Sequence, residues 1–263
     1  QGCQANYLGQ GIGCHALGLT KALLRQNTDH EFWLIMNGGL PEKISELRWT
    51  LEPYIDNSRI LVFDVPSPVA ENNPKNAWRT CAAELIREDF ICNLKPDIVH
   101  ISSLFEGVQN DVVISVPDIA KTAITLYNLP PKPAHKKRFR ATSSQLWYDK
   151  KIAQMLKADL LLAISEPLRQ EAITAFDIPP EKIVALHKGE HEEFTWNDSV
   201  ATRALEALEH TVSRTDSCNV YRFPEPECNT IPPKQYNNLI RRLHSINERV
   251  RPSLNDLALA AAS

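Results

Sequence analysis

The chain has 263 residues, 43% of them apolar and 23% charged, with a formal net charge of −3. That profile suits a soluble protein of one large or two small domains, long enough to bury a sizeable core. No apolar run reaches the roughly eighteen residues of a membrane span, no basic stub and apolar stretch opens the chain, and six cysteines are scattered without a CxxC or Cys/His cluster. These features argue against a transmembrane protein, a signal peptide, a structural zinc site and a disulfide scaffold, and they set a cytoplasmic location and no metal as expectations.

In chain order, the sequence predicts helices and strands in alternation from residue 12 to about 190, the pattern of an α/β layered domain. Ile12, Ala16, Leu19 and Leu23 fall at helical spacing over 12–26, and EFWLIMN (31–37) reads as a strand closed by Gly38-Gly39. PEKISELRWTLEPY predicts a second helix and RILVFDV (59–65) a second strand. Trp78, Cys81, Ala82, Leu85, Ile86, Phe90 and Leu94 outline the inner face of a long helix that stops before Pro96. Strands near 97–102, 122–127 and 160–164 are apolar on both faces, as buried parallel strands are. Helices over 143–157 and 166–176 and a strand at 182–187 complete the series. Beyond residue 190 no glycine occurs. There Val200, Ala204, Leu205, Leu208 and Val212 mark an amphipathic helix, 213–233 is polar and Pro-rich, and a last helix is expected over 234–249. The expected fold class is therefore α/β, a Rossmann-like parallel sheet with helices on both faces, followed by accessory helices. Its domains are expected as 1–195 and 196–263.

A doubly wound sheet starts with a strand that feeds a glycine turn and then a helix. Here the turn, Gly9-Gln10-Gly11-Ile12-Gly13, and the helix are present, but QGCQANYL ahead of them is too polar for a buried strand. The expectation is that the first strand lies upstream of this sequence.

The glycine turn with its Leu/Ala-rich helix, PDIVHISSLFEG (96–107), TLYNLPP (125–131), LLLAISEPLRQEAI (161–173) and IPPEKIVAL (178–186), in this order, resemble the N-terminal half of a family 4 glycosyltransferase. The chain is similar to the bacterial mannosyl- and rhamnosyltransferases of surface polysaccharide synthesis. The resemblance covers roughly residues 1–195 and implies one half of a GT-B fold, the half that holds the acceptor, facing a second domain that holds a nucleotide sugar. The family's glycine turn usually carries arginines, where this chain has Gln10 and Cys14, and its usual Tyr-Asp is Tyr127-Asn128 here, which removes a carboxylate. FTWNDSVATRALEALE (194–209) resembles the helix that returns to the first domain after the donor domain. The chain thus reads as a half-enzyme, not expected to transfer sugar alone. A non-catalytic remnant or binding module on a Rossmann scaffold is the alternative.

The candidate residues follow the sheet edge. Gly9, Gly11 and Gly13 form either a plain tight turn or a loop whose backbone N–H groups hold the donor phosphate. Glu106, Tyr127 and Asn128 lie past strand ends, where open α/β sheets place ligands, and are the candidates for acceptor contact. His100 reads as a satisfied core histidine or a ligand contact, Ser102 and Ser103 share the loop of Glu106, and Ser165 reads as a helix N-cap or a site residue. Lys121, Lys132, Lys136, Lys137, Arg138 and Arg140, between Asp118 and Asp149, form either a solvated loop face or, through 132–140, a surface for a lipid diphosphate or the inner membrane. The negative net charge speaks against nucleic acid. No cofactor is expected beyond the nucleotide sugar as donor substrate, and a metal or disulfide role for Cys218 and Cys228 is not expected.

Overall fold

The computed structural model describes residues 11–26, 29–118, 120–130, 143–186 and 198–213. Six α-helices and six strands alternate in it, except that β4 follows β3 with no helix between them. In chain order they are α1 (Gly11–Arg25), β1 (Leu34–Asn37), α2 (Pro41–Leu51), β2 (Ile60–Phe63), α3 (Ala77–Leu94), β3 (Ile98–Ile101), β4 (Lys121–Leu126), α4 (Ser143–Lys157), β5 (Leu160–Ala163), α5 (Glu166–Phe176), β6 (Ile183–Ala185) and α6 (Asp198–Ser213). The elements expected up to residue 213 are thus present, with strands trimmed at their ends. The second helix stops at Leu51, ahead of the Pro53 that would break its backbone ladder. Lys95, left-handed at φ 50, closes α3 just before Pro96.

All pairings are parallel, but they form two sheets. β1 pairs with β2, and β3, β4, β5 and β6 pair in that order. In the larger sheet, alternation divides the side chains between two cores. Ala123, Leu160 and Leu162 face α1 through Leu19 and Leu23 and face α6 through Val200, Ala204, Leu205 and Leu208. Val99, Ile101, Ile124, Leu126, Leu161 and Ala163 point the other way, to Ile91 of α3, Met155 and Ala158 of α4, and Leu168 and Ala172 of α5. Helices therefore cover both faces. The smaller sheet packs Met36 and Ile60 against Leu47 and Leu51 of α2 and against Leu17 and Leu24 of α1.

α6 belongs to this body. Its Val200, Leu205 and Leu208 are all buried, and each such side chain contributes about 1.5–3 kcal/mol. The helix expected over 234–249 and the irregular 214–233 lie outside the described residues.

The long helix departs from expectation. Trp78 is exposed, and α3 buries Thr80, Ala82, Ala83, Arg87 and Ile91 instead of the more apolar stripe through Cys81, Leu85 and Phe90. The reason is hydrogen bonding to two crossing loops. Thr80 Oγ1 donates to Val69 O at 2.8 Å, and Arg87 Nη1 donates to Ser115 O at 3.0 Å. Beside them Lys150 bridges Glu84 at 2.6 Å and Glu71 at 3.2 Å, and the buried Lys151 donates to Ile114 O at 2.8 Å. Carbonyls and carboxylates of neighbouring segments thus repay the desolvation of polar side chains between α3 and α4.

Burial lowers the Lys151 ammonium to about 8, against the pull of Glu84. Between that value and the ordinary lysine range the unfolded chain binds more protons than the folded one, so this group makes stability rise with pH there. Lys151→Met should remove that increment: denaturant unfolding at pH 8 and at pH 10.5 should show wild type gaining stability relative to the variant. An unchanging difference would place the titration elsewhere.

Candidate functional site

The described site candidates gather at the C-terminal edge of the parallel strands, where chain leaves each strand for the next connection. Gly11 begins α1 with φ +64, a left-handed conformation that glycine adopts freely, and a Cβ there would meet open space. Glycine is required at this position by backbone conformation, not by crowding. Gly13 differs, being buried on the inner face of α1 with Ala16 and Leu19. Gly9 lies outside the described residues.

The first turn of α1 meets the end of β4. His15 stacks on Tyr127 with ring centroids 6.1 Å apart and planes 26° from parallel, and partial burial pulls the imidazole below its ordinary value. Sequence reasoning passed over His15. Its signal was positional, because residue 15 stands one turn from Gly11 on a helix whose start faces the sheet edge. Asn128, next to Tyr127, is exposed.

Beyond β3 the chain folds into a buried loop. Ser103 and Glu106 are both buried and Ser102 is partly so. Glu106 is 9% exposed, and its backbone carbonyl accepts from Trp147 Nε1 of α4 at 3.2 Å. Trp147 in turn sits edge-on to Phe105, with centroids 6.5 Å apart. The turn after it depends on Gly107 (φ +89), where a Cβ would lie 2.7 Å from Val112 O. The side-chain Oε2 of Glu106 is buried and has no hydrogen-bond partner among the described residues. A carboxylate oxygen held this way costs free energy until a donor reaches it, which is the condition a ligand hydroxyl relieves.

His100 and Ser165 fill the roles of scaffold residues. His100 Nε2 lies 2.8 Å from Thr125 Oγ1 on the neighbouring strand, and burial lowers its pKa to about 4, so the ring is neutral at pH 7. Ser165 accepts from Leu168 N and caps α5, with Pro167 in the first turn, while Glu166 turns to Arg169 and Gln170. At the strands' opposite ends Lys121 pairs with Asp159 at 2.9 Å, which separates it from the basic run. That run, 132–140, lies outside the described residues. Among the described residues no group of three or more His, Cys, Asp or Glu is placed to hold a metal ion, and Cys14 and Cys92 are free thiols. None of the described helices is long and apolar enough to cross a membrane.

Gly11 at the start of α1, a loop with a buried glutamate after β3 and Tyr127-Asn128 after β4 thus lie at one edge of a Rossmann-like sheet. Residues 9–192 match the family described as Glycosyltransferase Family 4. The chain belongs to this family. It is 26% identical over 220 residues to a serotype-specific mannosyltransferase, WbdA, of Escherichia coli, an alignment covering 82% of this chain and 26% of that protein. A second Escherichia coli protein of the same description is 27% identical over 211 residues, or 79% of this chain and 25% of its own length. The chain therefore spans about a quarter of the length of the curated relatives it matches.

The neutral His100 gives the site a test in acid. Between the ordinary histidine value and about 4 the unfolded chain takes up a proton that the folded chain does not, so stability falls as pH drops through that window. His100→Gln, which retains a partner for Thr125, should flatten that fall in chemical denaturation between pH 6.5 and 4. A ligand role without a core role would leave the acid profile unchanged.

Proposed function

We propose that this chain forms the acceptor-side wall of a retaining glycosyltransferase that moves a hexose or deoxyhexose from a nucleotide sugar to a polysaccharide or lipid-linked saccharide. The observation that carries the reading is the buried, unpartnered Oε2 of Glu106 at the sheet edge, in a chain whose family and named relatives concern glycosyl transfer. In this reading Glu106 accepts a hydrogen bond from an acceptor hydroxyl. The ring of Tyr127, backed by His15, offers an apolar surface to the sugar, and Asn128 supplies a neutral donor and acceptor. Ser102 and Ser103 line the same loop. In this reading the glycines 9, 11 and 13 supply backbone N–H groups to the donor phosphate at the start of α1.

Catalysis on this wall is positioning. Orienting the acceptor hydroxyl and stabilising the departing diphosphate each supply several kcal/mol only when both reactants are held together. Beyond the glycine turn, the contacts to the donor's nucleoside and sugar belong to a second domain, so the 263-residue chain alone binds acceptor and does not turn over. The nucleotide sugar enters as substrate, and the reading calls on no resident cofactor. We place the protein in the cytoplasm, with the basic 132–140 segment set against the inner membrane surface or a lipid diphosphate.

Isothermal titration with a mannose-containing oligosaccharide tests the acceptor wall. Glu106→Gln keeps the side chain's size but loses the charged acceptor, and should weaken binding by about 1.5–3 kcal/mol, roughly ten- to a hundredfold. Ser165→Ala should cost about 1 kcal/mol of stability through the lost cap and leave saccharide affinity unchanged. Equal affinity in wild type and Glu106→Gln would remove Glu106 from the site. Transfer of label from a nucleotide sugar by the chain alone would overturn the division of labour.

A further inference from the structure

Trp147 and Lys150 stand one turn apart on α4 and reach the same turn of chain from two directions. Trp147 Nε1 donates to Glu106 O at 3.2 Å. Lys150 Nζ pairs with Glu71 Oε2 at 3.2 Å, and Glu71 N in turn donates to Gly107 O at 2.9 Å, followed by Asn72 N to Val108 O at 2.8 Å. These contacts close a ring that runs from α4 through Glu106 and Gly107 to Glu71 and back to α4. Lys150 also pairs with Glu84 of α3 at 2.6 Å, so the ring is fastened to both helices under this wall.

The peptide groups around Glu106 have little slack inside the ring. Its N–H donates to Leu104 O at 2.9 Å, its carbonyl is taken by Trp147, and the next carbonyl, that of Gly107, is taken by Glu71. Gly107 N donates to Asn110 Oδ1 at 3.1 Å, and its φ of +89 is one that glycine adopts freely and other residues rarely do. A side chain carried by a backbone held at each polar group is aimed before any ligand arrives, and ordering it then costs binding nothing. The Oε2 of Glu106, buried and without a partner among the described residues, is such an atom.

The link in the ring that rests on charge alone is Lys150. Trp147 also packs edge-on to Phe105, whereas the partly buried Lys150 contributes its ammonium. Burial lowers that ammonium's pKa, but Glu84 and Glu71 outweigh burial and raise it above the ordinary lysine range, so the bridge is charged through neutral pH. We propose that Lys150 is a positioning residue for Glu106: acting through Glu71, it fixes the Gly107 turn and with it the direction in which the Glu106 carboxylate meets a saccharide hydroxyl. The proposal rests on the acceptor reading of Glu106 and adds to it a group that does not touch the sugar.

The test measures binding of the same mannose-containing oligosaccharide and amide hydrogen exchange in wild type, Lys150→Met, Lys150→Arg, Glu106→Gln and the Lys150→Met/Glu106→Gln double variant. Lys150→Met should weaken binding about tenfold and speed exchange at the Glu71, Asn72 and Glu106 amides by a similar factor, while Leu161 and Leu162 of β5 exchange as in wild type. Lys150→Arg keeps the charge and should restore most of both. Because Lys150 acts through the carboxylate, Lys150→Met should cost no further affinity in the Glu106→Gln background. Equal losses in the two backgrounds would make the effect a general one and overturn the proposal, as would wild-type affinity in Lys150→Met where Glu106→Gln binds weakly. If Glu106→Gln binds as wild type does, or wild type does not bind, the acceptor reading has failed and exchange decides the ring. Faster exchange at Glu71 and Asn72 in Lys150→Met then upholds Lys150 as the residue that holds the Glu106 turn, and unchanged exchange overturns it. Glu71→Ala cuts the same link from the other side, carries the same expectations and replaces Lys150→Met should that variant not fold.

Discussion

The arrangement of the sheet edge depends on how α1 is anchored. Its inner face meets two separately hydrogen-bonded sheets and the returning helix α6 at once, through Leu17 and Leu24 on one side and Leu19 and Leu23 on the other. A rigid rod held at several apolar contacts has little freedom to tilt, because close-packed interiors resist even small displacements. That fixes where its first turn lies, and the first turn carries Gly11 and the ring of His15 against Tyr127. Burial along the length of the helix thus sets the geometry of its exposed start.

The opposite wall adds polar chemistry to apolar contact, since Leu104, Val112, Ile114 and Val116 join the core of Val99 and Ile101. The segment 103–116 passes over α3 and α4 with most of its residues buried, and its carbonyls are met by Arg87, Lys151 and Trp147. Asp111 accepts from Val69 N and Ala70 N and from Ser67 Oγ, which ties the same segment to the chain beyond β2. Asn37 at the end of β1 donates to Asp111 O. A loop with so many satisfied backbone groups is a fixed surface, and Glu106 stands out in it as the side chain whose oxygen is left without a donor.

The two walls divide the chemistry of the family reading. The α1 side presents Gly11 and the stacked rings of His15 and Tyr127. The β3 side offers a carboxylate suited to hydroxyls. Both lie in a chain that spans about a quarter of its curated relatives' length.

Periodicity in the sequence determined much of this protein. Alternating strand and helix patterns located every described element to within a few residues, because each such pattern is a local property of 3.6- or 2-residue spacing. The cap at Ser165 and the stop at Pro96 were readable for the same reason. The ordered motifs along 9–192 pointed to the family through residue identity. What spacing did not show was which polar residues go inside. Thr80 and Arg87 are buried on α3 while Trp78 is exposed, since the carbonyls that satisfy them come from loops about eleven and twenty-eight residues away. Nor did it show that His15 would reach Tyr127, or that six parallel strands would pair as two and four. Partners distant in sequence are chosen by packing, and only the folded chain brings them within hydrogen-bonding distance.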